Sequence, residues 1–120
     1  IKSFLDLEVY QESFQLSLEI EELLKNFPKD EKFLIVDQMK RASRAIPALI
    51  AGEGYSKRDS LKEFRKFIRD ALAEANEMIN HLAFSKAKKF ANEEILSNLI
   101  ERYSILGKKL SSLKEKWQKF

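Results

Sequence analysis

Apolar residues return every three or four positions along most of the chain. From Leu61 they fall at Leu61, Phe64, Ile68, Ala71, Ala75, Met78 and Leu82, with steps alternating three and four. Leu96, Leu99, Tyr103, Leu106, Leu110, Leu113 and Trp117 repeat the rhythm, and Met39, Ala42, Ile46 and Leu49 carry it straight across Pro47. Each stripe marks one face of an amphipathic helix. Breaks fall at "NFPKDE", "GEGYSKRDS" and "KKFANEE". The pattern predicts four helices, over about 6–26, 32–53, 58–88 and 92–118, with Asp30 and Asn92 as N-caps. Long helices joined by short connections predict an all-α, up-down-up-down four-helix bundle, one domain over 1–120. Gly107 interrupts the last helix at a cost of about 1 kcal/mol, which close helix packing would explain.

The first helix carries apolar residues on two sides. Leu7, Tyr10, Phe14 and Leu18 share one face; Val9, Leu16, Ile20, Leu23 and Phe27 share the other. A helix in a monomeric bundle needs a single apolar face, and soluble monomers rarely leave a large patch in water. Two placements account for the second face: contact with another subunit, or a deeper seat in the bundle. The economical expectation is an oligomer, with Val9, Leu16, Ile20, Leu23 and Phe27 at the subunit interface.

In "RASRAIPALIAGEGYSKRD" a proline sits inside the second helix. It removes a backbone hydrogen bond and crowds the Ser43 carbonyl, at about 3 kcal/mol. Because the apolar stripe continues, the expectation is a kink at Pro47 and not a break. Gly52 and Gly54 then end the helix, one of them in the left-handed conformation. Glu53, between them, is expected to cap or pair within the helix.

Charge sharpens the picture. Residues 1–31 hold three Lys/Arg against eight Asp/Glu (net −5), residues 40–69 nine against three (net +6), and residues 86–120 nine against four (net +5). Lys62, Arg65, Lys66 and Arg69 share a helix face, with Lys57 and Arg58 just before it. Phosphate backbones bind such surfaces by counterion release, without sequence readout. The competing reading is a solvated face, paired with Asp59, Glu63 or the acidic first helix of a neighbour. Arg41 and Arg44 flank the second helix's stripe and either extend the basic patch or pair across subunits.

"QMKRASRAIPALIAGEGYSKRDSLKEFRKFIRDALAEANEMINHL" resembles the bacterial four-helix-bundle proteins encoded by intervening sequences in 23S ribosomal RNA genes. Arg41, Ala42, Ile46, Pro47, Ile50, Ala51, Glu53 and Gly54 match that family's R-A-x-x-S-I-P-x-x-I-A-E-G helix. Lys62, Phe64, Lys66, Phe67, Ile68, Ala71 and Glu77 carry the match onward, and "FLDLEVYQESFQL" and "FPKDEKF" resemble the opening helix and first loop. Ala45 departs from the pattern's serine, and Gly52 is an extra residue before Glu53. The resemblance implies a ring-shaped homopentamer. It also implies kinship with the accessory protein of diversity-generating retroelements, a pentameric bundle that binds nucleic acid and a reverse transcriptase.

Other chemistry finds little support. Glu74, Glu77 and His81 suggest a metal site, but carboxylate-bridged bundles use Glu-x-x-His on two helices. Here the spacing is Glu-x-x-x-His, it occurs once, and the chain has one His. A polar network or subunit contact is the favoured reading, with no metal and no cofactor. "GEGYSKRDS" lacks the strand and the Gly-Lys-Ser/Thr of a phosphate loop. With no Cys and no Ser-His-Asp pattern, no catalytic residue is expected. Tyr103 and Trp117 lie on a stripe and are expected in the core. No apolar run approaches the roughly 20 residues of a membrane span, no signal-peptide pattern is visible, and a cytoplasmic location is expected. The leading expectation is a non-enzymatic oligomer that contacts RNA or DNA backbone. The alternative is a structural adaptor that docks a protein partner, such as a reverse transcriptase, without touching nucleic acid.

Overall fold

The computed structural model describes residues 3–117, the side chain of Glu53 excepted. Its longest element shows why the chain is helical. Residues Leu61–Ala87 contain no Gly or Pro and several alanines, the composition that costs a helix least. Ser60 starts this helix by accepting the Glu63 backbone N–H at 3.3 Å. Twenty-seven residues span about 40 Å, most of the 47 Å long axis of the molecule.

In chain order, α1 is Glu8–Leu24, α2 is Ile35–Ala48, α3 is Leu61–Ala87 and α4 is Glu93–Lys116. Short 3₁₀ turns lie at Phe4–Asp6, Lys29–Glu31 and Tyr55–Lys57. α1 packs beside α2 and α4, and α3 beside α2 and α4, so the four form a bundle. No strand occurs among the described residues.

The stripes of α3 and α4 point inward as read: Phe64, Ile68, Ala71, Ala75, Met78 and Leu82 are fully buried against Leu96, Tyr103, Leu106 and Leu110. Gly107 is buried where the helices meet, and a Cβ there would sit 3.3 Å from the Leu72 Cδ1. Trp117 stacks on Phe64 with ring centroids 4.4 Å apart. The buried Tyr103 hydroxyl has no hydrogen-bond partner among the described residues, and burial pushes its pKa up.

Helix α1 corrects the expected subunit interface. Val9, Leu16, Ile20 and Phe27 are buried in this chain's own core, and Leu23 is half-buried. Ser13 and Ser17 are buried with them and complete the inward stripe. Their hydroxyls need little room, and that of Ser13 donates to the Tyr10 carbonyl at 3.1 Å. On the other face, Leu7 is buried and Tyr10 packs against Phe4, while Phe14 and Leu18 remain about half exposed. The surplus apolar surface therefore lies on the face opposite to the one expected.

One of the two expected N-caps also moves. Asp30 lies in the 3₁₀ turn Lys29–Glu31, and α2 begins after Leu34 with no side-chain cap. Asn92 does cap α4, accepting the Ile95 N–H at 3.0 Å. Neither Gly52 nor Gly54 is left-handed. Among the described residues the positive φ belongs to Lys89 (φ 60°). There the Phe90 N–H reaches the Ser85 carbonyl and the Lys89 N–H the Lys86 carbonyl, closing α3 with a Schellman motif.

The chain stays helical through Pro47 and passes at Leu49 into a π-helical turn, Leu49–Gly54. A π turn closes five residues back and not four, so it accommodates one additional residue inside a helix. Gly52 is that additional residue relative to the I-A-E-G pattern. A Cβ at Gly52 would meet nothing within 4 Å, whereas one at Gly54 would lie 3.0 Å from the Leu49 carbonyl oxygen and 3.2 Å from the Ile68 Cδ1. Gly54→Ala is therefore expected to cost about 1–3 kcal/mol by overpacking. Gly52→Ala should gain about 0.4–1 kcal/mol by restricting the unfolded chain. Urea midpoints of the two variants, moving in opposite directions, check both.

Candidate nucleic-acid interface

The basic residues gather at the end of the bundle where α3 begins and α4 ends. Lys57, Lys62, Lys66 and Arg69 are exposed; Arg58 and Arg65 are half-buried. Lys62, Lys66 and Arg69 follow one another along a single face of α3, as the spacing requires.

The structure divides the six cations into two kinds. Arg65 turns inward and its Nε donates to the Lys114 carbonyl at 3.0 Å. That carbonyl lies in the last turn of α4, where the backbone has no helical donor and the helix dipole is negative. Arg65 thus closes α4. Arg58 lies 4.3 Å over the Tyr55 ring and donates to the Tyr55 carbonyl at 3.1 Å. Its own carbonyl accepts from the Trp117 Nε1 at 3.4 Å. Both arginines hold the end of the bundle together. Lys66 is loosely paired with Asp70 at 3.4 Å and passes 4.6 Å from the Phe67 ring. Among the described residues, Lys57, Lys62 and Arg69 have no ion-pair partner. Lys116, exposed at the end of α4, joins the same end of the bundle; its only signal in the sequence was the net positive charge of the last segment.

The acidic first helix finds its partners within the chain. Glu19 takes a bidentate pair of bonds from Arg102 at 2.6 and 2.7 Å, which holds its carboxyl below the usual range. Lys109 bonds Glu8 and Glu12 at 2.6 Å each, and Arg44 pairs with Glu21. Arg41 pairs with Asp37 at 3.1 Å on its own helix. The cations on α3 are not consumed by α1 of the same chain.

Glu77 accepts from the His81 Nε2 at 3.2 Å, the two being neighbours on one helical turn. Glu74 sits beside Glu77, and burial, then the hydrogen bond and charge of Glu77, push its pKa up to about 7. Among the described residues, no three His, Cys, Asp or Glu side chains converge as a metal site requires. The proton on Glu74 is held more tightly by the folded chain than by the unfolded one. Its contribution is full at pH 4 and is lost as pH climbs towards 7. Glu74→Gln should therefore raise the melting temperature above pH 7 and leave it unchanged at pH 4, since an amide still donates to Glu77. Melting curves at the two pH values check the sign.

No helix among the described residues is long and apolar enough to cross a membrane. No match is found among curated proteins. A solved structure from Bacteroides thetaiotaomicron, described as a protein of unknown function from the S23 ribosomal protein family, superposes with a TM-score of 0.79. It is 24% identical and covers 90% of this chain and 96% of its own, a likeness that establishes the fold. The model of one family, the 23S rRNA-intervening sequence protein, matches residues 5–112. Nearly the whole bundle, from the 3₁₀ turn before α1 to the last turns of α4, lies inside that match, and the chain belongs to the 23S rRNA-intervening sequence protein family.

Proposed function

We propose that this chain is a non-enzymatic, cytoplasmic homo-oligomer that holds RNA or DNA by its phosphate backbone, with little sequence preference. The observation that carries the reading is the state of the cations. Lys57, Lys62 and Arg69 point to solvent without an ion-pair partner among the described residues, while the acids of α1 are taken by Arg44, Arg102 and Lys109. The family resemblance supports an assembly of five copies. Repetition of a weak cationic patch around such a ring adds avidity along one polymer. The family's accessory-protein kinship is the ground for the adaptor alternative, in which a protein partner replaces nucleic acid.

The test is binding of the native chain to mixed-sequence RNA and to duplex DNA across a salt series. Affinity should fall with a log–log slope of about −0.7 per phosphate neutralised on single strands and about −0.9 on duplex. A variant with Lys57, Lys62, Lys66 and Arg69 changed to Glu should keep its helix content and lose binding. Arg58 and Arg65 are left intact because their reversal would strike the packing of α4. Native protein that ignores both polymers at low salt would transfer the reading to the adaptor.

A further inference from the structure

Among the exposed apolar side chains, two groups sit on opposite sides of the bundle, at the same end. Between α1 and α4 runs a groove of about 860 Å³ with Leu18, Leu23, Ile95 and Leu99 among its lining residues. Leu18 and Ile95 are each about half exposed. On the far side, Leu34 before α2 and Phe84 in the last turns of α3 share a second surface, with Phe33 beside them, 83% exposed. Since α1 and α4 are neighbours and α2 and α3 are neighbours, the groove and this corner face opposite ways.

Charge separates them further. Residues 18–26 and 92–99, which flank the groove, hold five acids and one lysine. Residues 28–34 and 84–90, which flank the corner, hold five lysines and two acids. Arg102 and Arg44 meet Glu19 and Glu21, and the groove still keeps a surplus of acid; a groove facing a groove would oppose two negative surfaces, and a corner facing a corner two positive ones. Each face complements the other and repels itself.

We infer that the α1–α4 groove is the seat for the Leu34–Phe84 corner of a second copy of this chain. This rests on the oligomer proposed above and names its contact. Such a contact is head-to-tail, because the two surfaces differ, and head-to-tail contacts generate rings or filaments. Both surfaces lie where α1 and α3 end and α2 and α4 begin, at one level along the bundle axis. Repetition closes into a ring where each contact also turns the next copy about the bundle axis by a fraction of a full circle, and runs on as a filament where it does not.

The chain has no cysteine, which makes the contact directly testable. Ile95→Cys and Phe84→Cys each replace a half-exposed side chain, and circular dichroism checks that the fold survives. Light scattering first sets the size of the native chain. The double variant, mildly oxidised, should give a ladder of covalent multimers on a non-reducing gel, while each single variant stays at 14 kDa. An oligomeric native chain whose Ile95→Cys variant alone forms a covalent dimer would show groove against groove and overturn the inference, leaving the oligomer standing. An oligomer whose double variant fails to cross-link would overturn it too. A native chain that scatters as a single 14 kDa species would remove the oligomer and the inference together.

Discussion

Ile20→Lys is expected to unfold the protein, whereas Leu18→Lys, two residues away, leaves it folded. Ile20 is fully buried and Leu18 is 49% exposed. Losing the isoleucine side chain alone costs about 2–5 kcal/mol. The replacement also places an ammonium inside the apolar core, and an unpaired buried charge costs more than the lost packing. A domain of this size has about 5–15 kcal/mol in hand, so most or all of its stability is removed. Far-UV dichroism and urea titration separate the two variants. If Ile20→Lys keeps full helicity and merely changes the size of the particle, the inward assignment of this face is wrong. Leu18→Lys carries a second expectation through the proposed contact: an intact helical chain with weakened association.

The contrast between these neighbours also shows what the amino-acid pattern could reveal. In α3 and α4 one unbroken stripe of apolar residues predicted one buried face, and the buried residues follow it from Phe64 to Leu82 and from Leu96 to Leu110. In α1 the inward stripe of Val9, Leu16, Ile20 and Phe27 was legible, without Ser13 and Ser17, but the pattern could not say which of two apolar faces the bundle covers. Leu7 is buried from outside the helix pattern, lining a surface shared with Lys109, Ser112 and Leu113 of α4. Periodicity within one helix carries no information about such distant cover.

The basic face was legible as composition and spacing, but the division among its cations was not. Arg65 is bound to a backbone carbonyl 49 residues away, and no local pattern marks that carbonyl. The end of α3 was obscured for a different reason. Its left-handed residue is a lysine, so the glycine that normally signals a Schellman ending is missing. Gly52, by contrast, stood out as an added residue, and its consequence is a local change of helical register with α2 still continuous across Pro47.

The packing beneath the basic end gives the other large effect. Phe64 is fully buried and Trp117 nearly so, and their rings are stacked at an interplanar angle of 18°. Phe64→Ala should cost about 3–5 kcal/mol, and Trp117→Ala a similar amount. Their sum should exceed the cost of the double variant, because each single change already destroys the shared contact. An aromatic pair is worth about 0.5–1.5 kcal/mol beyond its buried area, so the interaction in a double-mutant cycle should fall in that range. Simple additivity would show that the rings act as separate core residues. The same cycle bears on the candidate interface. Trp117 anchors the end of α4 against the Arg58 carbonyl, and Phe64 lies between Lys62 and Lys66 on α3. Trp117→Ala removes no cation, yet it frees the last turn of α4 and with it the Lys114 carbonyl that Arg65 holds. Measured at a temperature where the variant remains folded, its affinity for RNA or duplex DNA should drop while the salt slope stays near that of the native chain. A changed slope with unchanged affinity at low salt would mean that the cations rearrange freely and that the packed end of the bundle does not position them.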